Sequence, residues 1–495
     1  MELGTFALSW SPVLLLAVLA AGLKRPALEL SVYGAGFTAG LAYFFFQTPF
    51  PVILTAAADG AVTTAPLLLV VLAGILLSHL LMASRSMDRI IAWFMQGLRH
   101  PRDRHLFISL GICNFLEGAS VIAEPIVAPM LRAAGVSPAS AAALSIIGYA
   151  GLMSVEMAGI IITVLALVTG LPLGELAAAT AWLSVPGMLA MAACIPWHLP
   201  PESGRWSFLP QVLGSGLLVS LVALAATLTL GVALAGMAGG LALMAVLLLL
   251  GSRRWNWNAG IIRDLLPFAC ILAPLLLVNI VPRIRELTQN RWVFQVQVAP
   301  VHSITMTPFF SAYLYLFLAL AAAAVLFRSE VKVKEVLTGG LRQAWRALAA
   351  MALFGAMGQI IAYSGYGEGF TSLDQARNIP WVLAMGLKSY TGSWYPLFVP
   401  LLGWVGTFLT GYGVASLMLF GELQVHAASL LGVSPVWLAA GLTVGSAVGS
   451  ISSPFKIAIA APMCGALGRE GEILRRTIPL GVVASLLLGL ILRAL

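Results

Sequence analysis

The sequence predicts an all-α polytopic membrane protein of about 11–14 transmembrane segments, with two inverted repeats that contain broken helices or re-entrant hairpins. Three observations carry that expectation. Only 9% of the 495 residues are charged and 60% are hydrophobic, whereas a soluble chain needs about 25% charged residues to cover its surface. Apolar runs of about 20 residues, enough to cross the hydrocarbon core, recur along the chain. Two further stretches are equally apolar but repeatedly interrupted by Gly, Pro and Ser, and they share an order of motifs. An outer-membrane barrel would show short alternating segments instead.

The uninterrupted runs lie at 5–23, 28–47, 64–84, 152–171, 175–195, 211–230, 232–251, 264–282, 308–327, 345–364 and 476–494. The interrupted stretches are 106–151 and 380–467. No basic segment precedes the first run, and Lys24 and Arg25 follow it; that is the pattern of a retained span rather than a cleaved signal peptide. No soluble domain is expected at either end. Residues 1–495 read as one integral membrane domain. Its N-terminal half, 1–251, holds the first interrupted motif at 106–151, and its C-terminal half, 252–495, holds the second at 391–467.

A net charge of +8 does not call for nucleic acid here, because Lys and Arg gather in the cytoplasmic loops of membrane proteins. Four basic clusters fit that rule: Arg85, Arg89, Arg99, Arg102 and Arg104; Arg253, Arg254 and Arg263; Arg328, Lys332, Lys334, Arg342 and Arg346; and Arg469, Arg475 and Arg476. Placing them inside puts the 283–307 loop outside, although it carries Arg283, Arg285 and Arg291. The cysteines, Cys113, Cys194, Cys270 and Cys464, are scattered, without metal spacing or a disulfide framework. No nucleotide-binding, zinc or nucleophile-elbow motif appears, so no cofactor, metal or catalytic residue is expected.

The interrupted stretches resemble each other. The first reads NFLEG at 114–118, GVSP at 135–138, then Gly148; the second reads TFLTG at 407–411, GVSP at 432–435, then Gly445. Pro to Gly is 10 residues in both (148 − 138 and 445 − 435), while the motif glycine to GVSP is 17 and 21 (135 − 118 and 432 − 411). A single GVSP is ordinary connector chemistry, a glycine at a helix end followed by a Ser cap with Pro at the first helical position. Two copies, each downstream of F-L-x-G, read as an internal repeat. By the basic-loop rule the first copy is entered from the cytoplasm and the second from outside, so the copies are inverted. Inverted repeats with broken helices place a substrate site where they meet.

Candidate site residues follow from that geometry. An interrupted helix exposes backbone groups that only protein or a water-lined cavity can satisfy, and half-helix N-termini attract anions. Thr410, Gly411, Tyr412 and Ser416 sit at one such interruption and Ser452, Ser453 and Lys456 at another; a small-residue packing seam between helices is the alternative for the first. Lys456 either counters an anionic substrate, snorkels to an interface or pairs with a glutamate. In the first repeat, Asn114 and Gly118 flank the break, and Glu117 and Glu124, with Glu156 beyond, are candidate proton carriers or structural partners. A carboxylate withdrawn from water is a natural proton-exchanging group. Asp59 and Lys388 read as solvated residues in or near outside loops, and His79 as a structural histidine that could also exchange a proton.

These motifs resemble the lactate permease family of the ion-transporter superfamily. NFLEGA at 114–119 is similar to its first signature; GTFLTG at 406–411, LFGELQ at 419–424, GVSP and GSISSPFKIAIA at 449–460 are similar to its C-terminal signature. The resemblance implies proton-coupled import of lactate, glycolate and related 2-hydroxy monocarboxylates across the bacterial inner membrane. The family motif carries over at Glu117, Gly118, Thr410, Gly411, Ser416, Ser453 and Pro454. The chain departs from it in three places. SVIAEP at 120–125 replaces a Gly-Phe-Gly-Thr-Pro run, so Glu124 is additional; Tyr412-Gly413-Val414 replaces a Ser-Asp-Thr type triplet; and Lys456 replaces a neutral polar residue.

The expected function is therefore a secondary transporter, a proton symporter of a small monocarboxylate, with the lipid bilayer as its surroundings, no nucleic acid partner and a homo-oligomer left open. Transport of a dicarboxylate or inorganic anion, with Na⁺ as coupling ion, is the alternative. A membrane-embedded enzyme using Glu117 and Glu124 as an acid–base pair would require a water-filled cleft on which both carboxylates converge.

Overall fold

Hydrocarbon offers no partner to a free N–H or C=O, so a chain this apolar must satisfy its backbone within helices. The computed structural model, which describes residues 3–23, 25–96, 98, 100–199, 205–251 and 258–495, is built in that way. Its described sheet structure is a short antiparallel hairpin, Phe294–Val296 against Ile304–Met306. Nine described helices are long and apolar enough to cross a bilayer, and shorter apolar helices pack between them.

Most expected spans are helices within a few residues of the predicted limits: Ala27–Phe44, Ala65–Ala83, Leu173–His198, Ala259–Ile280, Ala312–Leu326 and Glu470–Ala494 among them. Three differ. The 345–364 run is the end of a 30-residue helix, Val333–Ala362, which puts Lys334, Arg342 and Arg346 on a helix rather than in a loop. The 152–171 run is irregular as far as Gly159 and helical only over Ile160–Thr169. Phe50–Thr63 is a helix the apolar-run criterion passes over, because it is only 14 residues long and Asp59, Gly60 and threonines dilute its hydropathy. Asp59 is thus not a solvated loop residue; it is fully buried in that helix.

Arg99, Arg253 and Arg254 of the expected basic clusters, and Lys24 after the first apolar run, lie outside the described residues. Members of two of the four clusters, Arg89 and Arg263, meet in one network with Asp264 and with Glu330, which lies beside the third cluster. Arg89 donates to both oxygens of Asp264 at 2.6 and 2.8 Å and reaches Glu330 at 3.2 Å, and Arg263 reaches Glu330 at 2.6 Å. Arg89, Arg263 and Glu330 therefore lie together at one end of the molecule.

The two interrupted stretches have corresponding plans. In the first, Pro101–Leu106, Phe107–Ile112 and Cys113–Gly118 run end to end, the chain opens at 119–123, and Glu124–Ala133 and Pro138–Ala150 follow around GVSP. It opens again at 151–159 before Ile160–Thr169. In the second, Tyr395–Thr410 opens at 411–412, Gly413–Leu431 and Pro435–Gly449 flank GVSP, and Ser453 precedes Pro454–Met463. The two halves interlock reciprocally. Ile160–Thr169 packs on Gly413–Leu431 of the other stretch, and Pro454–Met463 packs on Glu124–Ala133 and Pro138–Ala150. Val333–Ala362, packed on Ala27–Phe44, Phe50–Thr63 and Ala65–Ala83, forms a surrounding scaffold.

Matching residues do matching work. A Cβ on Gly148 would stand 1.8 Å from the Ser109 carbonyl oxygen, and one on Gly445 would stand 2.0 Å from that of Pro400. Each repeat glycine lets its helix lie directly on the backbone of the helix before the break. Gly148→Ala and Gly445→Ala are expected to lower thermal stability in detergent by at least about 1–3 kcal/mol each. Gly40→Ala, whose Cβ meets open space, should be neutral or gain up to about 1 kcal/mol in its helix. Unchanged unfolding temperatures for the two repeat variants would contradict the packing role.

Candidate functional site

The first break is held open by its own glutamate. The chain leaves the helix after Gly118, and Ser120 takes a left-handed φ of 59°. The Ala123 N–H then falls in front of a helix start with no turn to receive it, and Glu117 Oε1 accepts it at 2.8 Å. Gly118 serves a different need: a Cβ there would meet the Met237 nitrogen at 2.3 Å, so the glycine permits contact with the helix at 235–251. Asn114, one turn earlier, donates to Leu110 O at 2.6 Å and Gly148 O at 2.9 Å, tying the two broken helices of this repeat together. In the second repeat Thr407, the motif equivalent of Asn114, bonds Ser446 at 2.9 Å, one residue after Gly445.

Pro454–Met463 starts with Ser453 as its cap. The Ser453 hydroxyl accepts the Lys456 N–H at 3.3 Å and donates to the Gly411 carbonyl at 3.2 Å, joining the two breaks of the second repeat. Lys456 therefore sits in the first turn of a half-helix, where the helix dipole already supplies positive potential. Its Nζ donates to the Tyr149 hydroxyl at 2.6 Å and lies 4.6 Å from the centre of the Tyr149 ring. Tyr149 in turn donates to Glu124 Oε1 at 2.6 Å, and Nζ is 3.7 Å from the same oxygen. Lys456 is 8% and Glu124 2% exposed, so the ion pair is occluded within the protein. It joins the end of one repeat to the middle of the other.

The second break of the first repeat carries Glu156. Met157, Ala158 and Gly159 all have positive φ, and this run turns the fully buried Glu156 away from water. Among the described residues neither of its carboxylate oxygens has a hydrogen-bond partner, nor does Oε2 of Glu124. Gly236 leaves room for the side chain, since a Cβ there would lie 2.6 Å from Glu156 Cγ. Glu117 and Lys456 both act electrostatically on Glu156, and Glu117 feels Glu124 and Lys456. The four ionisable residues form one cluster.

The remaining candidates divide. Thr410 and Ser416 bond Gly406 O at 2.7 Å and Gly403 O at 3.0 Å, so both hydroxyls serve the helix that ends at Thr410. Gly411 takes φ 86° and closes that helix. The hydroxyls of Tyr412 and Ser452 and Oδ1 of Asn114 are buried without a protein partner. The Tyr412 ring lies against Phe455 at 4.6 Å. Tyr149 and Met153 were not among the predicted residues. Met153 Sδ accepts from Ser450 at 2.9 Å and from Lys456 at 3.5 Å, which places it between the repeats. Tyr149 carries a positional signal, following the repeat glycine Gly148 directly; Met153, one of 17 methionines, carries none. Of the weaker candidates, His79 bonds Gln343 on the scaffold, and Lys388, exposed near the end of the helix Ile379–Thr391, donates to Leu430 O at 2.8 Å.

A cavity of about 260 Å³ lies behind the first broken helix, lined by apolar side chains such as Trp93, Phe115, Met244 and Phe268. It offers a carboxylate no charge partner, so the candidate site is the polar junction.

Interrupted helices in two interlocked repeats, meeting at a buried ionisable cluster, place the protein in the architectural class of secondary transporters. It belongs to the L-lactate permease family, whose model matches residues 5–495, and is a multi-pass membrane protein of bacterial type. An L-lactate permease of Streptococcus iniae is 25% identical over 414 residues, 78% of this chain and 83% of that protein. An L-lactate permease of Salmonella typhi is 35% identical over 147 residues, 29% of this chain; the match spans only 26% of the Salmonella protein. A glycolate permease of Escherichia coli is 41% identical over 101 residues, 20% of this chain and 18% of that one. Among solved structures, the YdaH transporter of Alcanivorax borkumensis aligns over 95% of this chain and 98% of its own at 14% identity, with a TM-score of 0.48.

Removing one member of a buried ion pair leaves the other unpaired, at a cost of about 3–5 kcal/mol, whereas removing both is often close to neutral. Lys456→Met should therefore destabilise the protein by up to that amount. The Lys456→Met/Glu124→Gln double variant should recover most of the loss. Denaturation of the full double-mutant cycle measures the coupling, and additive effects would contradict it.

Proposed function

We propose that the chain is a proton-coupled secondary transporter of lactate, glycolate or a related small monocarboxylate. The observation that carries the reading is the Lys456–Tyr149–Glu124 bridge across the two repeats. A buried ammonium at a half-helix N-terminus is an anion receptor, and here Glu124 already occupies it. A substrate carboxylate entering beside an ionised Glu124 meets a repulsion of about 4 kcal/mol at 4 Å for an effective dielectric near 20. Protonating Glu124 removes that repulsion and frees Lys456 and Tyr149 for the substrate. Anion and proton then bind as a neutral pair, which is the physical content of symport. Glu156, with both oxygens bare, is a second carrier, and Glu117 holds the break open. The unpartnered hydroxyls of Tyr412 and Ser452 suit the polar remainder of a 2-hydroxy acid. Family membership and the names of the relatives support the substrate class, and the inverted order of basic loops supports alternating access by one repeat moving against the scaffold.

An enzyme using Glu117 and Glu124 as a pair fits less well. Glu117 faces its own backbone opening while Glu124 faces Tyr149 and Lys456.

In proteoliposomes, an inward proton gradient is expected to drive lactate or glycolate accumulation, and a Na⁺ gradient alone is not. Lys456→Met should cut uptake roughly 10- to 100-fold, the worth of one charge-assisted hydrogen bond. Glu124→Gln should keep substrate exchange across the membrane but lose uphill accumulation and its pH dependence. Proton-driven accumulation by Glu124→Gln would sink the coupling role, and accumulation driven by Na⁺ would replace the coupling ion.

A further inference from the structure

A second cluster of titratable side chains lies apart from the repeat junction, around the tip of the hairpin at 294–306. The tip packs into its own apolar socket, where Ala299 is fully buried among Val52, Ile53, Ala56, Ile360 and Tyr363. The next turn delivers His302, whose side chain is 16% exposed. Its Nδ1 is 2.7 Å from Asp59 Oδ2, and its Nε2 is 3.0 Å from the carbonyl oxygen of Leu167. Asp59 Oδ2 also receives Gln359 Nε2 at 2.8 Å and the Tyr363 hydroxyl at 2.9 Å, while Oδ1 has no protein partner.

The partners dictate the protonation state. A carbonyl oxygen only accepts, and a carboxylate oxygen that already receives two donors is an acceptor as well. Both ring nitrogens can be satisfied together only when both carry hydrogen, that is, as the imidazolium. The neutral ring keeps one N–H and turns a lone pair toward the other oxygen.

The Leu167 carbonyl belongs to the last turn of Ile160–Thr169, where helix carbonyls lack internal partners. Gly170 N–H closes on Ala166 O, and the Thr169 hydroxyl on Leu165 O. Leu167 O is taken by His302, and a cation there also favours the negative end of the helix dipole. The other end of this half-helix is the break that holds Glu156. One imidazole thus joins the hairpin, a scaffold carboxylate and a broken helix of the first repeat.

We propose that His302 is a proton-binding latch: charged, it clamps the hairpin and Asp59 to the C-terminal end of Ile160–Thr169, and loss of its proton releases that end. The groups that face it are Asp59 from Phe50–Thr63, Gln359 and Tyr363 from Val333–Ala362, and Glu422 from Gly413–Leu431, with Tyr366 beyond Tyr363 and electrostatically linked to Glu422. Burial works against the charge on His302, but the bond to Asp59 and its charge, the Leu167 carbonyl and the charge of Glu422 outweigh it and raise the imidazole pKa. A raised histidine pKa gives stability that is complete below the unfolded value of about 6.5 and is lost as pH rises through the folded one.

Hydrogen exchange on purified wild-type protein in detergent, without substrate and corrected for intrinsic exchange, tests the latch independently of any transport assignment. Between pH 5.5 and 9, peptides covering 160–170 and 297–303 should lose protection together as pH rises, by up to about tenfold for each unit by which the latch raises the pKa. Peptides from the ion-pair network at Asp264 should not follow. Asp59→Asn should move the transition to lower pH, and His302→Gln should abolish it. Protection of the two wild-type peptides that does not change with pH overturns the proposal even if the variants fail to fold, as does a His302→Gln protein that keeps the wild-type transition.

Discussion

Every break in a membrane-embedded helix presents backbone groups that lipid cannot satisfy, and this fold depends on how each break is closed by protein. Glu117 takes the Ala123 N–H, Ser453 takes the Lys456 N–H and gives its own proton to Gly411 O, and Asn114 bridges to Gly148 O. None of these bonds is between consecutive turns of an unbroken helix. The Ser453 cap starts its own half-helix, and the others pin one segment beside a break to another, so the interruptions that weaken individual helices also tie each repeat together. The two glycines at 148 and 445 are a consequence, because broken helices bonded through their backbones must lie closer than side chains allow.

Closing the breaks with charged and hydroxyl groups concentrates charge where the dielectric is low. Lys456 adds its charge to a half-helix end that is already positive, and Glu124, linked through Tyr149, offsets it. The arrangement is stable as a neutral set and tolerates change only in neutral pairs. The hairpin cluster follows the same rule, with His302 and Asp59 as opposite charges and a broken-helix carbonyl as third member. Both clusters attach to the first repeat, one near each end of the segment from Tyr149 to Thr169.

Much of this was legible in the residues. Apolar run length gave most spans, and F-L-x-G with GVSP located both broken regions, because turn chemistry is local and does not depend on distant partners. Glu124 and Lys456 stood out because a charge in an apolar run needs a partner, although nothing in the spacing says that Tyr149 joins them. Asp59 was misread for the opposite reason. Its helix is short and diluted by polar residues that are buried only because Val333–Ala362 and the hairpin cover them. His302, more than 240 positions away in sequence, can be matched to Asp59 only in three dimensions. Thr410 and Ser416 show the limit of motif reasoning, since their hydroxyls are spent on the adjoining helix.

The departures from the family motif acquire a common sense once the junction is seen. The resemblance leads one to expect an acidic residue in the triplet after FLTG, where this chain has Gly413, and no charge at 124 or 456. A Cβ at position 413 would lie 3.8 Å from Met153 Cε, and Met153 Sδ touches Lys456. A side chain at 413 would meet the Ser446 hydroxyl of its own repeat first, 2.9 Å from that Cβ. Glu124 and Lys456, the two charges that depart from the resemblance, are partners of one another through Tyr149. Tyr412, the residue before Gly413, packs its ring at a tilt against Phe455. Two of the three departures thus meet each other across the repeat interface, among break-closing bonds at Glu117, Asn114 and Ser453 that hold the surrounding half-helices.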